Sequence, residues 1–349
     1  MPQRDFYFVT GASGFVGGAV VRLLASQGRP VRAFVRPTSR RDNIPASVEI
    51  AEGDMTDADS VRKAMAGAQF VFHVAANYRL WTPDPNRLQR ENVEGARVVM
   101  QEALRAGVER VVHTSSVATL APDGVGLCDE TRRLDPEKAF GAYKRSKIFC
   151  EQLIDAMVAD HRLPAVIVNP SAPLGPGDLK PTPTGRIIQE AARGRIPAVV
   201  DTGLDVVHVD DVAMGHLAAL ERGAIGERYI LGGDNIQLLT ILSEVARLVG
   251  RPPPRMKLPR APLYPLAFCN ELLARITGRE PLLNIDSLRL SATRMFFDDR
   301  KARRELGYSS RPCGEAIADA VRWFGGERSS RAIDEPPAAP LSERQQASG

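Results

Sequence analysis

Short apolar runs alternate with stretches of helical spacing along the first half of this chain. Phe6–Thr10 is a compact apolar run, followed by a glycine turn and then by 19–27, where Val20, Val21, Leu23 and Leu24 share a helical face. Further strands are predicted at Val31–Val35, 48–51, 70–75, Arg110–Thr114 and 165–169. Helices are predicted at 60–66, 92–106 and Ala142–His161. Strands that alternate with helices predict a parallel sheet covered on both faces. Right-handed crossovers then give an α/β, doubly wound fold of Rossmann type, with its ligand crevice at the carboxyl ends of the strands.

After Asn169 the rhythm breaks. Residues 170–183 are rich in Pro and Gly and predict no regular structure. Helices are predicted at 186–193, 211–220, 239–249, 264–277, 301–306 and 314–324, with strands at 206–209 and 229–231. The division that follows is an α/β domain at 1–170 and a smaller lobe mainly at 171–326. Within that lobe, 204–232 is expected to return to the α/β core. Residues 327–349 hold almost no large apolar side chains and predict a disordered tail.

Composition narrows the function classes. The 349 residues are 44% hydrophobic and 25% charged, which is ordinary for a globular chain. The net charge of +4 is spread without a Lys-rich run, so it reads as a solvated surface and not as a nucleic-acid footprint. Cys128, Cys150, Cys269 and Cys313 form no CxxC pair and no metal-ligating cluster. Idle thiols fit a reducing, cytoplasmic setting. No apolar signal region opens the chain, and no uncharged apolar run of about 18 residues crosses a membrane.

The chemistry enters at three places. Gly11, Gly14 and Gly17 stand between the first strand and its helix, where unpaired N–H groups and the helix dipole attract phosphate. At the end of the second strand, where an acidic residue would take a ribose 2′-hydroxyl, the chain has Arg36, then Thr38, Ser39, Arg40 and Arg41. A guanidinium suits a 2′-phosphate, which favours NADP(H) and leaves NAD(H) open. Asp54 is a candidate acceptor for the adenine amino group, or a turn residue. Tyr143 and Lys147 are four apart in the long helix and so share a face. The ammonium and an oxidised nicotinamide are both expected to lower the phenol's pKa, letting Tyr143 exchange a proton with a substrate oxygen. Ser116, or Ser115 in its place, would donate to that oxygen.

TGASGFVG at 10–17, GDM at 53–55, HVAA at 73–76, TSS at 114–116 and YKRSK at 143–147 together resemble the extended short-chain dehydrogenase/reductase family. NPSAPLGP at 169–176, HVDDVAMGH at 208–216 and KARRELGY at 301–308 continue the resemblance over nearly the whole chain. Within the family, HVAANYRLW at 73–81 and MFFDDRKARRELGY at 295–308 are similar to bacterial hopanoid-associated sugar epimerases, themselves similar to dihydroflavonol 4-reductases. The resemblance implies a Ser116, Tyr143 and Lys147 triad, with Lys147 also holding the nicotinamide ribose. It extends the cofactor cradle to Ser13, Phe15, Val16, Met55, Val74, Ala75, Ala76 and Pro170. It implies that Asn92, read at the start of its helix, supports the site or caps the helix, and that Asn169 borders the substrate. Tyr78, Leu80 and Trp81, after the fourth strand, form a substrate wall or pack on the smaller lobe. A homodimer through the long helices is usual for the family.

The chain also departs from the pattern. Nucleotide-sugar epimerases carry an arginine before the DxxHV-type strand to grip the diphosphate, and this chain has Leu204 there. The second diphosphate arginine is not evident, and Arg186 and Lys180 read as surface charges. His208 reads as a structural residue at the lobe junction. The apolar stretch 261–276, interrupted by Asn270, Glu271 and Arg275, reads most simply as a lobe helix pair, with a membrane-surface role suggested by the lipid connection of the subgroup. Three activities compete: an epimerase that keeps its cofactor, a reductase that consumes NADPH, and a dinucleotide sensor that has no need of the proton donor.

Overall fold

The chain's computed structural model describes residues 6–78, 82, 84–277, 281 and 283–325. Its strands are β1 (Phe6–Thr10), β2 (Val31–Val35), β3 (Glu49–Glu52), β4 (Ala68–His73), β5 (Arg110–Thr114), β6 (Ala165–Pro170), β7 (Ala172–Leu174), β8 (Ala198–Val199), β9 (Gly203–His208), β10 (Arg228–Leu231), β11 (Asp234–Gln237) and β12 (Met256–Lys257). Its helices are α1 (Phe15–Ser26), α2 (Ala58–Met65), α3 (Pro85–Ala106), α4 (Ala142–His161), α5 (Pro183–Ala192), α6 (Val209–Arg222), α7 (Leu238–Leu248), α8 (Leu263–Thr277), α9 (Ile285–Leu290), α10 (Arg300–Leu306) and α11 (Cys313–Gly325).

Seven strands form the main sheet in the order β3-β2-β1-β4-β5-β6-β10, every pair parallel. The chain winds outward from β1 to β3, then crosses back to β4 on the other side of β1. The order therefore reverses between β1 and β4, and the crevice opens beyond Thr10 and His73, which pair in register. Side chains alternate across the sheet as a period of two requires. Tyr7 and Val9 join the cluster under α1 and α6, while Phe8 joins Phe34, Met65 and Val99 under α2, α3 and α4. The predicted doubly wound α/β architecture is the one observed.

A second sheet, β11-β9-β7, carries α5, α7 and α11 around Leu174, Ile188, Val206, Val245 and Ile317. Two expectations change here. Part of the 170–183 stretch is regular after all: β7 pairs with β9, and Pro173 is tolerated because β7 is an edge strand with nothing beyond it to receive a donor. Of the stretch 204–232, β9 lies in this smaller sheet, while α6 packs on the main sheet and β10 joins it. Helix α3 begins two turns ahead of its predicted start, with Pro85 in its first turn and Asp84 accepting from Arg87 N at 2.9 Å. The tail at 327–349, like Leu80 and Trp81, lies outside the described residues.

Candidate active site

The cradle is built by close backbone approach. Gly11 sits at φ 70°, a left-handed conformation that favours glycine. A Cβ there would lie 2.6 Å from Ala75 N, and one at Gly17 would lie 2.2 Å from Gly11 O. No side chain caps α1 at Gly14, and no acid stands in its first turn, so the positive end of the helix faces the crevice unneutralised. Ser13, Val74, Ala75 and Ala76 are half-buried around the turn, and Ala75 N donates to Thr10 Oγ1 at 3.3 Å. These features fit a dinucleotide pyrophosphate. Phe15 and Val16 turn their side chains to the core cluster, and Met55 packs against Gly95 of α3.

Arg36 is exposed at the end of β2, with Asp54 as its charged neighbour. Arg40 and Arg41 are instead engaged by Asp42 and Glu52. The Asp54 carboxylate accepts from Thr56 N at 2.8 Å and Thr56 Oγ1 at 2.7 Å. Those bonds hold its pKa below the usual carboxylate range and make it a turn residue first.

Beyond β5 the chain enters a short 3₁₀ turn (Val117–Thr119) capped by Ser116, whose Oγ accepts from Ala118 N at 3.1 Å. The structure distinguishes the two serines. Ser115 Oγ is buried with no partner among the described residues, whereas Ser116 is only half-buried and is the serine whose hydroxyl bears on the Tyr143 phenol. Tyr143 stands in the first turn of α4, after Gly141 at φ 78°. Lys147 follows one turn later and is buried, its Nζ donating to Thr114 O at 2.6 Å. Burial pushes the Tyr143 phenol up, and the opposing influence is the bond with Ser116, because the Lys147 ammonium is drawn to the Thr114 carbonyl.

A family model described as the NAD dependent epimerase/dehydratase family matches residues 7–232. The chain belongs to that family. Its sequence is 44% identical over 329 residues to a putative dihydroflavonol 4-reductase of Synechocystis sp., covering 92% of this chain and 95% of the relative. It is 37% identical over 322 residues to sterol demethylase protein B of Methylococcus capsulatus, covering 90% and 97%. Among solved structures, that of gox2253 superposes with a TM-score of 0.83 at 49% identity, covering 93% of this chain and 99% of the other. The extended short-chain dehydrogenase/reductase resemblance thus holds, and the protein is an NAD(P)-dependent enzyme of this family.

Supporting residues of this family member reach the site from four elements. Asn92 lies two turns into α3 and caps nothing. Its Oδ1 accepts from Asn77 N at 2.8 Å, and its Nδ2 donates to Asn77 O at 3.0 Å and Ser146 Oγ at 2.9 Å. Ser146 in turn donates to Tyr143 O at 2.7 Å, so the loop after β4 is tied to the first turns of α4. Asn169 does not extend its amide into the crevice. It is fully buried and donates to Ser116 O at 3.0 Å, Thr119 Oγ1 at 3.1 Å and Glu151 Oε1 at 2.8 Å, bracing the serine turn from behind. Pro170 ends β6 and is buried. Tyr78 reaches across to the smaller lobe, its hydroxyl donating to Lys180 O at 3.1 Å. His208 is buried at the start of α6, accepting from Asp210 N and contacting Asp319 of α11 at 3.2 Å, a structural joint between sheet and lobe.

Sequence reasoning passed over Glu151 and Thr119. Glu151 is 1% exposed and accepts from Thr119 Oγ1 at 2.9 Å. A signal existed: Glu151 stands four residues beyond Lys147 and eight beyond Tyr143, on the same helical stripe.

Proposed function

We propose that the protein is an NADP(H)-dependent oxidoreductase that interconverts a ketone and a secondary alcohol on an apolar substrate, working in the direction of reduction. The observation that carries this reading is the placement of Tyr143 and Lys147 one turn apart on α4, with Lys147 Nζ held by Thr114 O at 2.6 Å and Ser116 in the turn that follows β5. A protonated phenol is the form that donates to a carbonyl oxygen. Ser116 gives one Oγ lone pair to Ala118 N–H, so its own proton is free to turn to the oxygen that gains charge. Tyr143 supplies the proton. Lys147 is positioned by Thr114 O and would hold the nicotinamide ribose. When bound, the nicotinamide supplies the hydride.

Arg36, exposed and free of the carboxylates that hold Arg40 and Arg41, supports a 2′-phosphate on the cofactor. The substrate class rests on Leu204. Where a diphosphate-gripping arginine is expected, β9 has a leucine that packs on the lobe's apolar cluster. Arg186, the nearest candidate substitute, donates to Pro281 O. An apolar substrate agrees with the names of the dihydroflavonol reductase and sterol demethylase relatives. A second reading, a sugar epimerase in hopanoid side-chain synthesis, is favoured by the 73–81 and 295–308 motifs. A homodimer through α3 and α4 belongs to the same proposal.

The test begins with release and identification of any nucleotide that copurifies. An empty protein that oxidises NADPH stoichiometrically with polycyclic or aryl ketones supports the reductase. Tightly retained dinucleotide with no net NADPH consumption supports the epimerase instead. Tyr143→Phe removes the proton donor and should lower kcat by about 10²-fold or more. Full activity in that variant overturns both readings.

A further inference from the structure

Helix α8 is built inside out. It buries Ala267 and Ala274, one pair of small side chains seven residues apart, and packs chiefly against α9. Its large apolar residues point the other way: Leu266, Phe268, Leu272, Leu273 and Ile276 are each more than half exposed, and so is Met256 of the preceding β12. At 3.6 residues per turn, the arc from Phe268 through Leu272, Ile276 and Leu273 to Leu266 spans roughly 160° and contains no charged residue. Isolated exposed leucines need no explanation, but a continuous outward apolar face on one helix does.

The stretch that leads into and forms that helix is mostly basic, with Lys257 lying 3.8 Å from Asp201. Residues 251–277 contain five cations, Arg251, Arg255, Lys257, Arg260 and Arg275, against the single carboxylate Glu271. Glu271 is turned inward, accepting from Ile285 N at 2.8 Å, while Arg275 stands exposed at the border of the apolar arc. No helix of the described residues is long and apolar enough to cross a membrane. An apolar arc edged by cations and too short to span is the pattern of a helix lying in a bilayer interface.

The face also adjoins the site. The partner helix α9 carries Asp286, whose Oδ2 lies 3.0 Å from where a Cβ on Gly141 would stand, and Gly141 caps α4 two residues before Tyr143. Asp286 is also the carboxylate that opposes the burial of Lys144. Helix α9, against which α8 packs, therefore lies beside the start of the proposed catalytic helix.

We propose that α8 and the basic segment leading into it dock the protein on an anionic lipid surface, setting the mouth of the crevice against the bilayer so that an amphiphilic substrate enters from the lipid. This is independent of which reaction the crevice performs. A second copy of the chain is the poorer occupant: a two-fold contact across this face would oppose the same cations to themselves.

The experiment is cosedimentation of the full-length protein with vesicles of phosphatidylglycerol and phosphatidylcholine in equal parts, and with phosphatidylcholine alone. Binding should be at least about tenfold stronger to the anionic vesicles and should be lost in about 1 M salt, where screening is short-ranged. Phe268→Glu combined with Leu272→Glu should weaken binding about tenfold or more, with an unchanged circular-dichroism spectrum and melting transition, since both side chains are already in water. Protein that stays in the supernatant with anionic vesicles overturns the proposal. So does a concentration-dependent dimer, seen by ultracentrifugation without lipid, that the double variant abolishes.

Discussion

Asn169 has two amide protons and three acceptors around them: the Ser116 carbonyl, the Thr119 hydroxyl and the Glu151 carboxylate. Asn169 and Thr119 both donate to Glu151 Oε1, so the arrangement needs a donor at position 169. Asn169→Asp would set two buried carboxyls against each other, so one must take up a proton or the serine turn must move. The variant should lose stability as the pH rises from about 5 to 8 and lower kcat more than KM, read by melting and by steady-state kinetics. Glu151 has a further part to play. Burial lowers the pKa of Lys147, and the nearby Glu151 charge is among the influences that oppose it. Glu151→Gln keeps an oxygen for Asn169 but removes the charge. The alkaline limb of the kcat profile should move to lower pH as Lys147 loses its proton earlier. A purely structural role would lower activity without moving that limb. At the opposite end of the crevice, Arg36→Ala should raise KM for NADPH about tenfold and leave NADH unchanged, the loss expected for one charge-assisted phosphate contact. Equal KM changes for both cofactors would refute the 2′-phosphate assignment.

At the scale of elements, the strands of the first half were readable because each is a bounded apolar run, and β1, β2 and β5 fall where the pattern put them. The pattern failed where packing outweighed it. The first turns of α3 hold Asn86, Arg87, Gln89, Arg90 and Glu91, a polar run that hides the helix until Leu88 is seen buried beneath it. Strands β7, β8, β11 and β12 have two to four residues, too few for a period to register. The site was legible to the extent that spacing on one helix determines which side chains are neighbours, as with Tyr143 and Lys147. Its electrostatics were not, because the Thr114 carbonyl that takes the Lys147 ammonium comes from β5, and only the crossover brings it there. Asn43 is a similar case. From the loop after β2 its amide donates to Gly14 O at 3.1 Å and Gly177 O at 2.7 Å, joining the glycine turn to the smaller lobe. Asn43→Ala would remove two hydrogen bonds while Gly18 N and Leu179 N still serve the two carbonyls, a loss of about 1–2 kcal/mol. Melting should register it, and dinucleotide affinity should fall with it, since the same amide holds the phosphate turn in place. A variant that melts early but binds dinucleotide normally would separate the latch from the cradle.

For the molecule as a whole, buried titratable groups set opposing slopes of stability with pH. His73, His113 and His216 lie together between the sheet and its helices and are held neutral. Burial, helped by the Lys147 charge, pushes His73 down to about 3, and burial lowers His216 to about 4. His113 is lowered in the same direction, stacked on His73 with ring centroids 5.3 Å apart. Unfolded histidines titrate near 6.5, so the unfolded chain binds more protons below that value, and the stability these groups lend is lost as the pH falls from 6.5. Asp178 and Asp205 act in the opposite sense. Burial raises both to about 7, against bonds from Thr182 and Gly233 that hold them down. The folded chain keeps their protons through the range from about 4 to 7 where the unfolded chain has released them, so their contribution is full below about 4 and lost as the pH rises through 7. Between 4 and 6.5 the three histidines outnumber the two carboxyls and stability climbs; above 6.5 only the carboxyls still titrate and it declines. The melting temperature should therefore peak near pH 6.5 and drop steeply below pH 4. Asp178→Asn should remove its share of the loss between about pH 4 and 7, because an asparagine oxygen can accept the Thr182 bonds without a proton to lose. That variant should melt higher than the parent at pH 8 and close to it at pH 4. A melting temperature that keeps rising from pH 6.5 to 8 in the parent protein would mean that these two carboxyls are ionised in the folded state.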